Sequence, residues 1–206
     1  MGDWELYKRP PAVVLGFHGC DAETGEALLD GSLRHLSPSQ NDYDWLGSGI
    51  YFWEGSPARA AEFAEAAHSR NSKLSKGKIR RPFVIGAVLH LGNCCNLLDF
   101  GALSELTEAY AVLQKGFARS GMALPQNRGP NRALRFLDRA VIETMHQLRE
   151  EQIIHTHAPG GYDSVRAAFF EGDDLYPGAG FASKIHIQVA IRKLDCILGY
   201  FRPIQS

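Results

Sequence analysis

The sequence predicts a mixed α+β domain built on a split antiparallel sheet. Strand-like runs come early (residues 12–18, 50–54 and 82–91) and return late (162–170, 184–192 and 196–201), with helical periodicity between them. No G-x-G-x-x-G strand-helix unit or Walker sequence occurs, which sets the doubly wound nucleotide folds aside. With 206 residues, 45% hydrophobic and 22% charged, the chain can bury one sizeable core, so a single domain over 1–206 is expected.

The first run, Ala12-Val13-Val14-Leu15-Gly16-Phe17-His18 behind Pro10-Pro11, has the profile of a buried strand that delivers His18 at its end. Ala27, Leu28, Leu29 and Leu33 then predict a short helix over 23–36, stopped before Ser37-Pro38, and a polar loop over 37–45. Gly47-Ser48-Gly49 leads into Ile50-Tyr51-Phe52-Trp53-Glu54, an aromatic and β-branched strand whose bare start suits a flat ligand lying against the backbone. Ser56-Pro57 marks a helix start, and Ala60, Ala61, Phe63, Ala64 and Ala67 supply a helical face. A basic, Ser-rich connector over 70–81 precedes the apolar run 82–91, a central-strand pattern, and Asn96 to Asp99 closes that unit.

Two helices are expected next, over 103–119 and 131–150, the second from Leu134, Leu137, Val141, Met145 and Leu148. Together they form a helical insertion over about 102–152. A strand over 162–170 and a Gly- and Pro-containing loop over 175–183 follow. Residues 184–192 alternate, with Ile185, Ile187, Val189 and Ile191 on one face and His186, Gln188 and Ala190 on the other. A short strand over 196–201 ends the pattern.

A formal charge of −1 and a pI near 6.7 provide no general attraction to polyanions. The one local basic cluster is Lys73, Lys76, Lys78 and Arg80-Arg81, which reads as a solvated loop. No basic leader followed by an apolar run and no stretch of about 18 apolar residues occurs, so a cytoplasmic protein without a membrane partner is expected. Leu6 stands where a myristoylation signal needs Ser or Thr after Gly2. Cys20, Cys94, Cys95 and Cys196 form no C-x-x-C pair; they read as small buried hydrophobes, and no metal is expected.

Three marks stand in order: His18 in Phe-His-Gly, Tyr51 in Gly-Ser-Gly-Ile-Tyr-Phe, and Gln188 on a late strand followed by Cys196-Ile197-Leu198-Gly199-Tyr200-Phe201. That order resembles the ADP-ribosyltransferases of the diphtheria-toxin and poly(ADP-ribose) polymerase type, whose signature is His, Tyr, then Glu or a substitute. The resemblance covers nearly the whole chain. It implies the split-sheet ADP-ribosyltransferase fold, NAD as co-substrate, and catalytic roles for His18, Tyr51 and Gln188. His18 would hydrogen-bond a ribose hydroxyl of NAD and the Gly19 backbone would hold the nicotinamide amide. Tyr51 would stack on the nicotinamide with Phe63 as the second slice, and Gly49 would keep the floor bare. Ala60 stands where relatives often carry an amide-binding serine.

Gln188 departs from the usual glutamate. Cleavage of the nicotinamide-ribose bond passes through an oxocarbenium-like state that a carboxylate stabilises; glutamine can orient the ribose but neither carries charge nor takes a proton. Single transfer to a macromolecular acceptor, protein or nucleic acid, is therefore expected rather than polymer elongation. Glu54, Glu171, Asp173, Asp174 and His186 are candidate bases. Small members of this superfamily often act in toxin-antitoxin or anti-phage systems, so an antitoxin partner is implied by analogy. The alternatives are an NAD glycohydrolase, an RNA 2′-phosphotransferase-like enzyme with Arg166 and Arg192 as phosphate ligands, and an inactive NAD or ADP-ribose binding module.

Overall fold

The computed structural model describes residues 11–69, 79–129, 133–156 and 160–204. Gly2, Leu6, Lys73, Lys76, Lys78 and the expected helix start at residue 131 lie outside them. The chain forms a mixed α and β structure with one seven-stranded, mostly antiparallel sheet. The strands are β1 (Val13–Asp21), β2 (Ile50–Glu54), β3 (Pro82–His90), β4 (Cys94–Asn96), β5 (Ser164–Phe169), β6 (His186–Ile191) and β7 (Ile197–Phe201). Among the described residues four α-helices accompany them: α1 (Ala22–Asp30), α2 (Pro57–Ser69), α3 (Phe100–Ser120) and α4 (Phe136–Thr156). The strand order is β4-β5-β6-β2-β1-β3-β7, and only β4 and β5 run parallel.

The pairing is uneven. β1 pairs with β3 along all nine residues, Val13 with His90 through Asp21 with Pro82, whereas β1 meets β2 only at Gly16–Glu54 and Phe17–Trp53. Two half-sheets, β4-β5-β6-β2 and β1-β3-β7, are thus joined by a two-residue ladder.

Each face of the sheet buries a different core. On one face Val14, Ile50, Phe52, Ile85, Leu89, Val189 and Ile191 pack with Leu28 of α1 and Leu36. On the other, Leu46, Cys95, Val165, Ala167 and Ala190 pack with Ala109 of α3 and with Val141, Ile142 and Met145 of α4. There α2 covers the adjoining stretch, with Ala60 against Phe17 and Trp53. The helices expected as an insertion therefore cover one face of the core, because a sheet with both faces apolar needs a layer on each.

Several boundaries differ from expectation for local reasons. α1 ends at Asp30, six residues early, where Gly31 turns left-handed at φ 82°. α3 starts earlier than expected because Asp99 accepts from the Gly101 amide at 2.8 Å. α4 starts at Phe136, leaving Leu134 in a bridge with Arg128: the Asn127 side-chain carbonyl, ten residues upstream, accepts from the Leu137 amide at 2.9 Å. Cys94–Asn96 is a strand the sequence does not announce, its three residues being recruited by parallel pairing with β5. The alternation expected over 184–192 fails: Ile185 is exposed outside β6, while His186 and Ala190 on the supposed polar face are buried. β6 is a central strand, and central strands lose the two-sided polarity of an amphipathic one.

Cys20, Cys95 and Cys196 are buried and Cys94 is half-buried, all four as free thiols. Burial pushes the Cys20 and Cys95 thiols up to about 12, so they remain protonated and inert.

Candidate functional site

The short β1–β2 ladder creates the site. The Gly55 amide donates to the Leu15 carbonyl at 2.9 Å, so odd-numbered residues of β1 turn their backbone groups toward β2. Continuing the register places Gly19 opposite Tyr51, two residues beyond the last pair, Phe17–Trp53. No pairing forms there. Instead His18 reaches across the gap and donates Nδ1–H to the Tyr51 carbonyl at 2.7 Å. A carbonyl only accepts, so this bond puts the proton on Nδ1. Burial lowers the His18 pKa, which keeps the ring neutral and leaves Nε2 as a lone-pair acceptor. The gap thus carries an acceptor at His18 beside the unladdered edge of Gly19.

Side-chain directions divide the predicted residues. Phe17 and Trp53 share a cluster with α2, and His18 packs edge-on to Phe52 at 5.9 Å on the opposite face. Tyr51 therefore leaves the sheet on the face opposite His18, so His18 is joined to the Tyr51 backbone and not to its ring. Gln188 lies on the Tyr51 face, opposite Trp53 on β2 and Ala167 on β5. Phe63, expected as the second slice around the nicotinamide, packs at a tilt on Trp53, with centroids 5.3 Å apart.

The Tyr51 hydroxyl is used locally. It donates to the Gly47 carbonyl at 2.8 Å and accepts from the Leu46 amide at 3.0 Å; burial and the nearby Asp44 push its pKa well up. The ring is thereby fixed as a neutral flat surface.

The glycines have packing reasons of their own. A Cβ on Gly49 would lie 2.8 Å from the Ile191 carbonyl oxygen of β6, and one on Gly19 would collide with the Ala60 carbonyl of α2. Gly47, at φ 80°, sits against Ile142 and Glu143 of α4, each 2.9 Å from the position its Cβ would take. The Glu143 carboxylate accepts from the Ser48 amide at 2.6 Å and the Ser48 hydroxyl at 2.9 Å, docking the Gly-Ser-Gly segment on the helix. Bareness here lets strand, helix and loop approach closely. Gly47→Ala should lower stability by roughly 2 kcal/mol, combining left-handed strain with displacement of α4. Urea unfolding checks this, and an unchanged midpoint would refute the docking.

Gln188 is oriented by a residue that sequence reasoning missed. The Trp45 indole Nε1–H donates to Gln188 Oε1 at 2.8 Å, which settles which end of the amide faces which way, since an indole cannot accept. Trp45 is itself wedged against Phe169, centroids 4.6 Å apart, under the Arg135 guanidinium, which Asp138 pairs at 2.9 Å. The Gln188 amino group is the end left for the site, so Gln188 offers donors there. A tryptophan in a polar loop gave no periodic signal by which to find it.

The other candidate groups are mostly committed elsewhere. Glu54 takes Arg166 bidentately, at 2.6 Å from Nε and 2.8 Å from Nη2, and Arg166 also reaches Asn96. Arg192 faces Glu143 at 3.5 Å. The two arginines considered as phosphate ligands are therefore both paired. Glu171 is held by Arg59 at 2.7 Å, while Asp173 and Asp174 are exposed in the loop before β6. His186 is buried on the Gln188 face. Among the described residues no cluster of three or more His, Cys, Asp or Glu side chains could hold a metal ion, and no helix is long and apolar enough to cross a membrane.

One cavity of about 410 Å³ opens behind Trp45 between α3 and α4, lined by Leu106, Tyr110, Arg135, Val141 and Ile142. It adjoins the Trp45 wall and does not include His18, Tyr51 or Gln188. No protein-family model matches the chain, and no curated protein matches it significantly.

Proposed function

We propose that the chain is an NAD-dependent mono-ADP-ribosyltransferase that releases nicotinamide and places ADP-ribose on a macromolecular acceptor. The observation that carries this is the interrupted β1–β2 ladder, with His18 bonded across it to the Tyr51 backbone beside the free edge of Gly19. Such an edge offers a backbone N–H and C=O together, the pattern that a planar carboxamide complements with its own C=O and NH₂. β1 and β6 flank β2, two strand spacings or about 10 Å apart. The His18 and Gln188 side chains leave opposite faces, so the ribose enters the open β1–β2 gap, met by His18 from one face and by Gln188 from the Tyr51 face. His18 Nε2 accepts from a ribose hydroxyl; the Gln188 amino group donates to another. Tyr51, locked flat by its hydroxyl bonds, offers a ring face on the Gln188 side.

Gln188 carries no charge to stabilise an oxocarbenium ion, which favours slow single transfer over elongation. Pairing of Arg166 with Glu54 and of Arg192 with Glu143 speaks against an RNA 2′-phosphotransferase, which needs free cations for its phosphate. An antitoxin partner and an anti-phage role follow from the resemblance alone and belong to the same proposal.

Incubation with NAD carrying label in the adenylate half, with lysate as acceptor source, should yield free nicotinamide and label on macromolecules. Nicotinamide without labelled macromolecule would point to a glycohydrolase. NAD binding without turnover would point to an inactive module.

A further inference from the structure

The Gln188 carbonyl oxygen is engaged by Trp45 and its amino group only donates, so the face that Gln188 occupies needs another group to accept a proton. One stands two residues earlier on the same strand. His186 is 7% exposed, and its Nε2 is buried with no hydrogen-bond partner. Its Nδ1 lies 2.7 Å from the Lys184 carbonyl, an acceptor, so Nδ1 carries the proton and Nε2 is a bare lone pair. Alternation puts His186 and Gln188 on one face about 7 Å apart. The Trp53 and Phe169 rings hold the imidazole from either side, at 6.3 and 5.4 Å between centroids.

We propose that His186 is the general base of the transfer, its Nε2 taking the proton of the acceptor's hydroxyl or N–H as that atom attacks the nicotinamide ribose. This rests on the transferase reading above. The acceptor atom forms its bond to ribose C1; the C1–nitrogen bond to nicotinamide breaks, and its electron pair returns to the ring, neutralising the pyridinium. The acceptor's proton passes to Nε2. An ionised carboxylate would need no such base, so the acceptor class is one that carries a proton on its nucleophilic atom.

The surroundings fit a base that is covered until the acceptor arrives. Arg59 and Glu62 of α2 face Glu171 and Lys184 of the loop before β6: Arg59 pairs with Glu171 and with Glu62, and Glu62 with Lys184. This clamp fastens the loop over His186. Burial, with help from Arg59, lowers the His186 pKa, and the backbone bond to Lys184 and the Glu171 and Glu62 carboxylates oppose that. The ring is therefore neutral at pH 7 and ready to accept, while the two carboxylates stand by to stabilise the imidazolium. Covering Nε2 also keeps water from using the base, so NAD hydrolysis without acceptor should be slow.

The test is His186→Asn, whose side-chain amide keeps a donor for the Lys184 carbonyl. Nicotinamide release with acceptor lysate should fall about 100-fold in kcat while KM for NAD stays unchanged. Wild-type transfer should rise with pH along an acid limb centred below 6.5, and that limb should vanish in the variant. An active wild type with an undiminished His186→Asn variant, or a wild-type profile flat through the acid range, overturns this proposal alone. A wild type that releases no nicotinamide from NAD overturns the transferase reading and this proposal with it.

Discussion

Glu54→Leu should destabilise the protein by about 3–5 kcal/mol, because it strips a bidentate partner from a guanidinium that has almost no access to water. Arg166 is 8% exposed, and its remaining contact, Asn96 Oδ1 at 3.2 Å, is a neutral one. The pair joins β2 to β5, with Asn96 bringing in β4, so its loss acts where the sheet must hold the strand that carries Tyr51. The double variant Glu54→Leu with Arg166→Met should recover most of the loss, since removing both charges leaves nothing buried and unpaired. Denaturant unfolding of both variants decides the matter. Equal midpoints for wild type and Glu54→Leu would show that Arg166 reaches water, and would return Glu54 to the candidate bases and Arg166 to the candidate phosphate ligands.

Gln188→Glu should raise nicotinamide release about 100-fold. Trp45 already donates to Oε1, so the carboxylate inherits an oriented partner, now as a charge-assisted bond. Its second oxygen would take the place of the amino group toward the ribose and set a negative charge beside the developing oxocarbenium ion, an electrostatic contact of the order of the roughly 10²–10³ in rate that a single preorganised oxyanion-hole donor contributes. The variant should also gain acceptor-independent hydrolysis, because a carboxylate can activate water that the covered His186 cannot reach. A variant that folds like wild type yet gains no turnover would place the nicotinamide ribose away from β6 and refute the arrangement proposed around Gln188.

Most elements were legible in the sequence wherever a pattern was local. The β2 strand and α2 stood within a residue or two of their expected bounds, since the aromatic run and Ser-Pro signal are contiguous. The α4 start was hidden because its cap, Asn127, lies beyond a loop, and β4 was hidden because three residues acquire strand character only from a partner seventy positions away. The site divides in the same way. His18, Gly19, Tyr51 and Gln188 were picked out as residue types in order, yet the sequence could not show that Phe63 packs on Trp53, that Trp45 orients Gln188, or that Glu54 is committed to Arg166.

The sequence alone determined the α+β class, the inert cysteines and the strand on which Tyr51 sits, because composition, period and turn chemistry act over a few residues. Only the tertiary structure decided that the β1–β2 ladder stops after Phe17–Trp53, that His18 and Tyr51 leave opposite faces, and which atoms of Gln188 and His186 remain free. Those outcomes depend on hydrogen-bond partners brought from 33 positions away for His18 and 143 for Gln188. A proton's place on an imidazole or an amide's orientation follows from such partners, and no local pattern encodes them.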